Sequence, residues 1–189
     1  MQNKYKAILF FFITIGLTGC SINKTSIYNN EKVAIQLEDG KTKRAFKITF
    51  KTTLNASAKE VWEELMKYSF WTDMLNPKAI LKFKTKKERI IQGAKDECKL
   101  TVNTFIPFGK HYIFWETIDS ANKTIQTREN GGYVKMWDNN LKVIALTDST
   151  STINDQLIIW GGLLTKPTAI WAKDVLKNRH NQFKNKFNN

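Results

Sequence analysis

The stretch Phe46-Lys47-Ile48-Thr49-Phe50-Lys51-Thr52-Thr53-Leu54 runs straight into Asn55-Ala56-Ser57-Ala58-Lys59-Glu60-Val61-Trp62-Glu63-Glu64-Leu65. In the first part, Phe46, Ile48, Phe50, Thr52 and Leu54 alternate with Lys47, Thr49, Lys51 and Thr53, the period of a half-buried strand. The second part changes period. Val61, Trp62, Leu65 and Met66 share one helical face. Asn55 or Ser57 can cap that helix, and Glu60 stands three residues after Ser57, as in a capping box. A second short helical piece around Tyr68 to Leu75 is stopped by Asn76-Pro77.

Upstream, Val33, Ile35 and Leu37 alternate and Asp39-Gly40 follows, which predicts an edge strand and a tight hairpin. Downstream, Leu81 and Phe83 alternate with Lys82 and Lys84, and Cys98 to Thr104 alternates until Pro107-Phe108-Gly109 breaks it. Tyr112 to Ile118 reads as an aromatic strand, and Thr124 to Glu129 as the next, ended by Gly131-Gly132. Lys142–Thr147 and Ile153–Trp160 form a further hairpin around the Ser/Thr tract 149–152. Short connections between such strands indicate an antiparallel sheet. From Pro167 to Phe187 neither glycine nor proline intervenes, and Trp171, Val175, Leu176, Arg179, Phe183 and Phe187 recur at helical spacing. Proline suits the first turn of a helix, so the chain ends in one of about five turns, long enough to cross a sheet.

The beginning of the chain has another character. Lys4 and Lys6 precede an apolar run from Ala7 to Leu17, and Leu17-Thr18-Gly19-Cys20 follows. The run is short for a membrane span, which needs about 20 apolar residues, and fits a secretory signal. The tetrapeptide resembles the lipobox of bacterial lipoproteins. That resemblance implies cleavage after residue 19, lipidation of Cys20 and stable membrane anchoring, since two or more acyl chains hold where one does not. The expected organisation is a signal peptide over 1–19, a lipidated cysteine with a polar tether over 20–31, and one domain over 32–189. Ser21 lacks the aspartate that resembles an inner-membrane retention signal, so the periplasmic face of the outer membrane is expected if the cell has two membranes.

The 189 residues carry 30 Lys and Arg against 17 Asp and Glu, a formal charge of +13. Loss of Lys4 and Lys6 with the leader leaves +11 on 170 residues. No nucleic-acid motif accompanies this balance. For an exported, anchored protein, anionic headgroups or other envelope polyanions are the better partners. With Cys20 lipidated, Cys98 has no partner for a disulfide. Alternation places it with Leu100 and Val102 as a small buried hydrophobe. No metal-ligand, serine-elbow or phosphate-loop pattern occurs, and no cofactor is implied.

The order of strand, short helix pair, long antiparallel meander and single long C-terminal helix resembles the helix-grip fold of the START-related, or SRPBCC, superfamily. Polyketide cyclase/dehydrase-like and lipid-transfer domains belong there. The resemblance rests on Ile48–Leu54, Ser57–Leu65, Trp71 before Pro77, Phe108-Gly109, the late hairpins and Gly161 before the last helix, and covers about residues 44–187. Ser149-Thr150-Ser151-Thr152 stands where the final hairpin usually has glycine. The fold class implied is α+β, a curved antiparallel sheet around the C-terminal helix.

Such a sheet can enclose a concave apolar site. Phe50, Phe83, Leu100, Tyr112, Phe114, Trp115, Leu146, Trp160, Trp171 and Val175 could line it, or could close-pack into a solid core. The leading expectation is a lipid-anchored domain that binds a small hydrophobic or lipid ligand under the last helix. A second is a cyclase/dehydrase-like enzyme using Glu116 or His111 as acid or base. Glu116 points inward if Tyr112 and Phe114 do, and outward if Trp115 is the inward residue; Arg128 and Glu129 carry the same ambiguity. A third is a non-catalytic envelope interaction protein with a filled core. An inward carboxylate or imidazole favours the second over the first.

Overall fold

In a computed structural model, which describes residues 27–188 apart from Lys86 and Thr104, both halves of the capping box close. The Ser57 hydroxyl accepts from the Glu60 N–H at 3.2 Å, and the Glu60 carboxylate accepts from the Ser57 N–H at 2.8 Å. The expected signal peptide and Cys20 lie outside the described residues. The helix so started is α1 (Ala58–Leu65), which buries Val61, Trp62 and Leu65, and α2 (Tyr68–Asp73) follows at once.

The strands are β1 (Ile27–Gln36), β2 (Thr42–Leu54), β3 (Ala79–Phe83), β4 (Lys95–Val102), β5 (Ile106–Asp119), β6 (Thr124–Gly131), β7 (Val134–Ala145) and β8 (Ser151–Trp160). They form one sheet in the order β1-β2-β8-β7-β6-β5-β4-β3, antiparallel throughout. After the β1–β2 hairpin the chain crosses through α1 and α2 to the far edge. It then returns strand by strand until β8 pairs with β2. The long helix α3 (Thr165–Phe187) lies in the concavity. Ile48 and Leu54 of β2, Leu157 and Ile159 of β8, and Ala172, Leu176 and Phe183 of α3 form one fully buried core. Ala169 and Ala172 let the helix approach the sheet closely. This is the helix-grip arrangement.

Three boundaries differ from expectation. Residues 27–31, read as tether, belong to β1 and pair with β2 from Lys51 to Lys47; an edge strand with one face in water needs little apolar alternation. Strand β5 runs through Pro107–Gly109, where a break was expected, because a register shift between Leu100 and Thr101 absorbs the irregularity. Strand β7 begins at Val134, eight residues before the expected start. Its Asp138-Asn139-Asn140 resembles loop sequence but alternates between the two faces.

Candidate functional site

Between α2, α3 and strands β3 to β7 lies a cavity of about 40 Å³, room for roughly three water molecules. Indoles dominate its wall: Trp71 from α2, Trp115 from β5, Trp137 from β7 and Trp171 from α3. Trp71 and Trp115 meet edge to face at 5.4 Å, and Trp137 and Trp171 lie 5.7 Å apart. At the start of α3, Phe108 stacks on Trp171 at 5.5 Å and meets Tyr133 edge to face at 5.3 Å. The turn beneath them requires glycine. Gly132 has φ +54°, and a Cβ there would stand 2.4 Å from the Phe108 carbonyl oxygen.

The polar part of the wall is His111, Thr127, Glu129 and Arg179. His111 is 3 % exposed. Its Nε2 lies 2.9 Å from Glu129 Oε2, while the Thr127 hydroxyl donates to Glu129 Oε1 at 2.7 Å. Glu129 therefore accepts from both sides, which assigns the proton to His111 Nε2. His111 Nδ1 is buried with no partner, and so are Trp171 Nε1 and Arg179 Nε. Each unmatched buried polar atom costs about 1–3 kcal/mol, and these three belong to residues around one cavity.

Two other buried polar groups brace the walls. Asp96 on β4 accepts from Trp115 Nε1 at 2.8 Å and from the Tyr68 hydroxyl, and pairs with Lys87 at 2.7 Å. This fixes the Trp115 ring. Behind Arg179, Asp155 of β8 is wholly buried and accepts from the Arg179 guanidinium and from His180 Nε2, the latter at 3.3 Å. Asn139 accepts from Arg179 at 3.3 Å, and Thr52 lies 2.8 Å from His180 Nδ1. Burial pushes the Asp155 carboxyl up, but the Arg179 charge and the His180 contact outweigh it and hold it below its usual value. Burial holds His180 below the usual imidazole value despite Asp155, so His180 is neutral.

Of the residues expected to line a site, Leu100, Trp115, Trp171, Val175 and His111 do so. Phe50 is buried nearby, against His180 and Tyr28, and Phe83 packs on Tyr68 near the sheet edge. The remainder face elsewhere. Tyr112, Phe114 and Glu116 lie on the opposite face of β5, because His111, Ile113 and Trp115 take the inner one. Glu116 instead pairs with Arg128 across the outer face at 2.8 Å. Trp160 is on the outer face of β8, and Leu146, in the β7–β8 turn, is 55 % exposed. Sequence reasoning assigned no site role to Thr127, Trp137 or Arg179, and left the facing of Glu129 open. The Trp137 signal was available in alternation with Leu141 and Val143, once β7 is given its true start.

Cys98 is 1 % exposed, and burial pushes its thiol up to about 12, which makes it inert. Among the described residues no cluster of His, Cys, Asp and Glu could hold a metal ion, and no helix is long and apolar enough to cross a membrane.

No family model matches the chain, and no curated protein does. Solved structures do match its fold. An aromatase/cyclase, Zhui from Streptomyces sp. R1128, superposes with a TM-score of 0.59 at 13% identity, over 72% of this chain and 90% of that one. A protein from Arthrobacter aurescens gives 0.59 at 11% identity, over 72% and 83%. CalU16 from Micromonospora echinospora gives 0.52 at 10% identity, over 83% and 85%. At these identities the likeness is one of fold alone, the helix-grip arrangement of a curved antiparallel sheet around a long C-terminal helix.

Proposed function

We propose that the domain binds a small planar molecule among its four indoles and acts on it through His111, held by Glu129. The observation that carries this is an inward imidazole with one nitrogen anchored on a carboxylate and the other buried and unpartnered. That combination favours the cyclase/dehydrase-like reading over a passive lipid carrier. The cavity as it stands is smaller than the roughly 150 Å³ that holds a benzene-sized guest, so a ring or an acyl chain enters only if the wall around Trp171 opens.

The chemistry that suits the wall is proton removal beside a carbonyl. With Nε2–H donated to Glu129, His111 Nδ1 carries the lone pair. It takes the proton as the C–H bond breaks, and the electron pair moves onto the carbonyl oxygen. The imidazolium formed is stabilised by Glu129, and the oxyanion by the N–H groups of Arg179 and Trp171. The test is exchange of α-hydrogens of small aryl ketones in heavy water, followed by NMR. The expectation is exchange above the buffer rate that drops at least about a hundredfold in His111→Gln. Saturable binding without exchange would reduce the domain to a binding module. The small cavity also suits a filled core whose work lies on the surface, and absence of saturable binding across an aryl ketone and lipid panel would put that reading first.

The same proposal places the domain on an envelope membrane through lipidated Cys20, motivated by Leu17-Thr18-Gly19-Cys20 after an apolar run. Cys20→Ser should move the protein out of the membrane fraction. An unchanged distribution would remove the lipoprotein reading.

A further inference from the structure

The side of α3 turned away from the core carries exposed Lys166, Ile170 and Lys177 and half-buried Lys173 and Lys184, which fall at steps of four, three, four and seven residues along one stripe. Asp174 is the single acid of this helix. The salt bridges of the described residues include none of Lys166, Lys177 and Lys184. Lys173 sits over the Tyr28 ring at 4.8 Å. Between β1 and α3 runs a groove of about 360 Å³ lined by Tyr28, Phe50, Lys173, Lys177, Asn181 and Lys184.

The position of this stripe is what matters. Tyr28 is the second residue of β1, so the chain enters the domain directly beside Lys173. Seven residue steps separate Cys20 from Ile27, which span at most about 25 Å. Lys184 lies eleven residues beyond Lys173, about 16 Å along the helix. An acyl anchor on Cys20 thus holds the whole stripe within reach of the lipid that receives the anchor.

We propose that the stripe is a second membrane contact: Lys166, Lys173, Lys177 and Lys184 lie on the phosphates of anionic lipid headgroups, with the groove beside Tyr28 admitting a headgroup. This rests on the Cys20 anchor. Each lysine near an anionic surface strengthens attachment about fivefold, and the effect fades with salt as screening shortens its range. The anchor sets the distance and the stripe sets the orientation, with α3 toward the bilayer and the far strands β3 and β4 away from it.

The test uses the full chain recovered from membranes in detergent and reconstituted into vesicles of phosphatidylcholine alone or with about a third phosphatidylglycerol. Lysine acylation rates are read by mass spectrometry. Lys166, Lys177 and Lys184 should be protected several-fold in the anionic vesicles, with protection lost in high salt. Lys82 and Lys99, exposed on β3 and β4, should react alike in both. Lys177→Glu with Lys184→Glu should abolish the protection of Lys166 while the protein stays on the vesicles. Equal labelling of the stripe in both vesicle types, with the protein still anchored, would overturn the proposal. Loss of the anchor itself is read separately, as parent protein that fails to sediment with either vesicle, and would overturn the premise.

Discussion

The two histidines of this chain are both buried, and their ring nitrogens are engaged differently. His180 has both ring nitrogens engaged, by Thr52 and Asp155, inside a cluster that ties β2, β7 and β8 to α3. His111 has one nitrogen engaged, by Glu129, and one left unpartnered beside the cavity. The comparison teaches that burial alone does not distinguish the two. The occupancy of the second nitrogen does, and it is the observation on which the proposed role of His111 rests. A saturated imidazole holds elements together, whereas a half-saturated one keeps a lone pair for a ligand.

The sharpest break of that comparison is in the cluster around His180. Arg179→Met removes the cation that offsets buried Asp155 and should cost about 3–5 kcal/mol in denaturant unfolding. A loss under 1 kcal/mol would mean that the cluster is not closed as described.

The next effect is on pH. Because the folded protein keeps His180 neutral, its imidazole value lies below that of the unfolded chain. The unfolded state then binds the extra proton first, and stability falls as pH drops below about 6.5. Asp155, also held low, adds a second loss in the same direction at more acid pH, as the unfolded carboxyl protonates near 3.8. Melting temperatures taken across this range should decline on the acid side, and His180→Gln should flatten the first step. A parent curve that is level between pH 7 and 5 would contradict the assignment.

A smaller stability effect, about 1 kcal/mol, is expected for His111→Gln, which loses a contact to Glu129 but no packing layer. Its larger signature is functional, through α-hydrogen exchange. A variant that unfolds like Arg179→Met would make His111 structural and collapse the distinction. The smallest effect concerns Cys98. With its thiol pushed up to about 12 and 1 % exposed, it should resist alkylation in the folded protein and react once unfolded. Rapid modification under native conditions would show that β4 opens locally.

Most of the fold was legible because local signals agreed with one another. The Ser57 capping box, the alternation of β2 and the unbroken helical spacing after Pro167 each predict one element without help from distant residues. The phase of β5 was harder to read. Tyr112-Ile113-Phe114-Trp115 is apolar on both faces, so alternation could not choose, and pairing with β4 and β6 decides for Ile113 and Trp115. That single choice sends Glu116 outward and His111 inward. Within the site, Trp171 and Val175 followed from helical spacing. Glu129 beside His111, and Arg179 on Asp155, depend on partners 18 and 24 residues apart, which local sequence pattern cannot join.

The strand order also bears on how the molecule comes into being. β2 finds its inner neighbour only in β8, roughly a hundred residues later in the chain, and α3 follows that strand. Contacts at such separation carry a heavy loop-closure cost and slow the formation of structure. Until its final quarter is free, the polypeptide has no partner on one side of its first long strand and no helix to grip. The topology itself delays closure, which leaves the growing chain able to travel as a thread before it becomes an object with an inside.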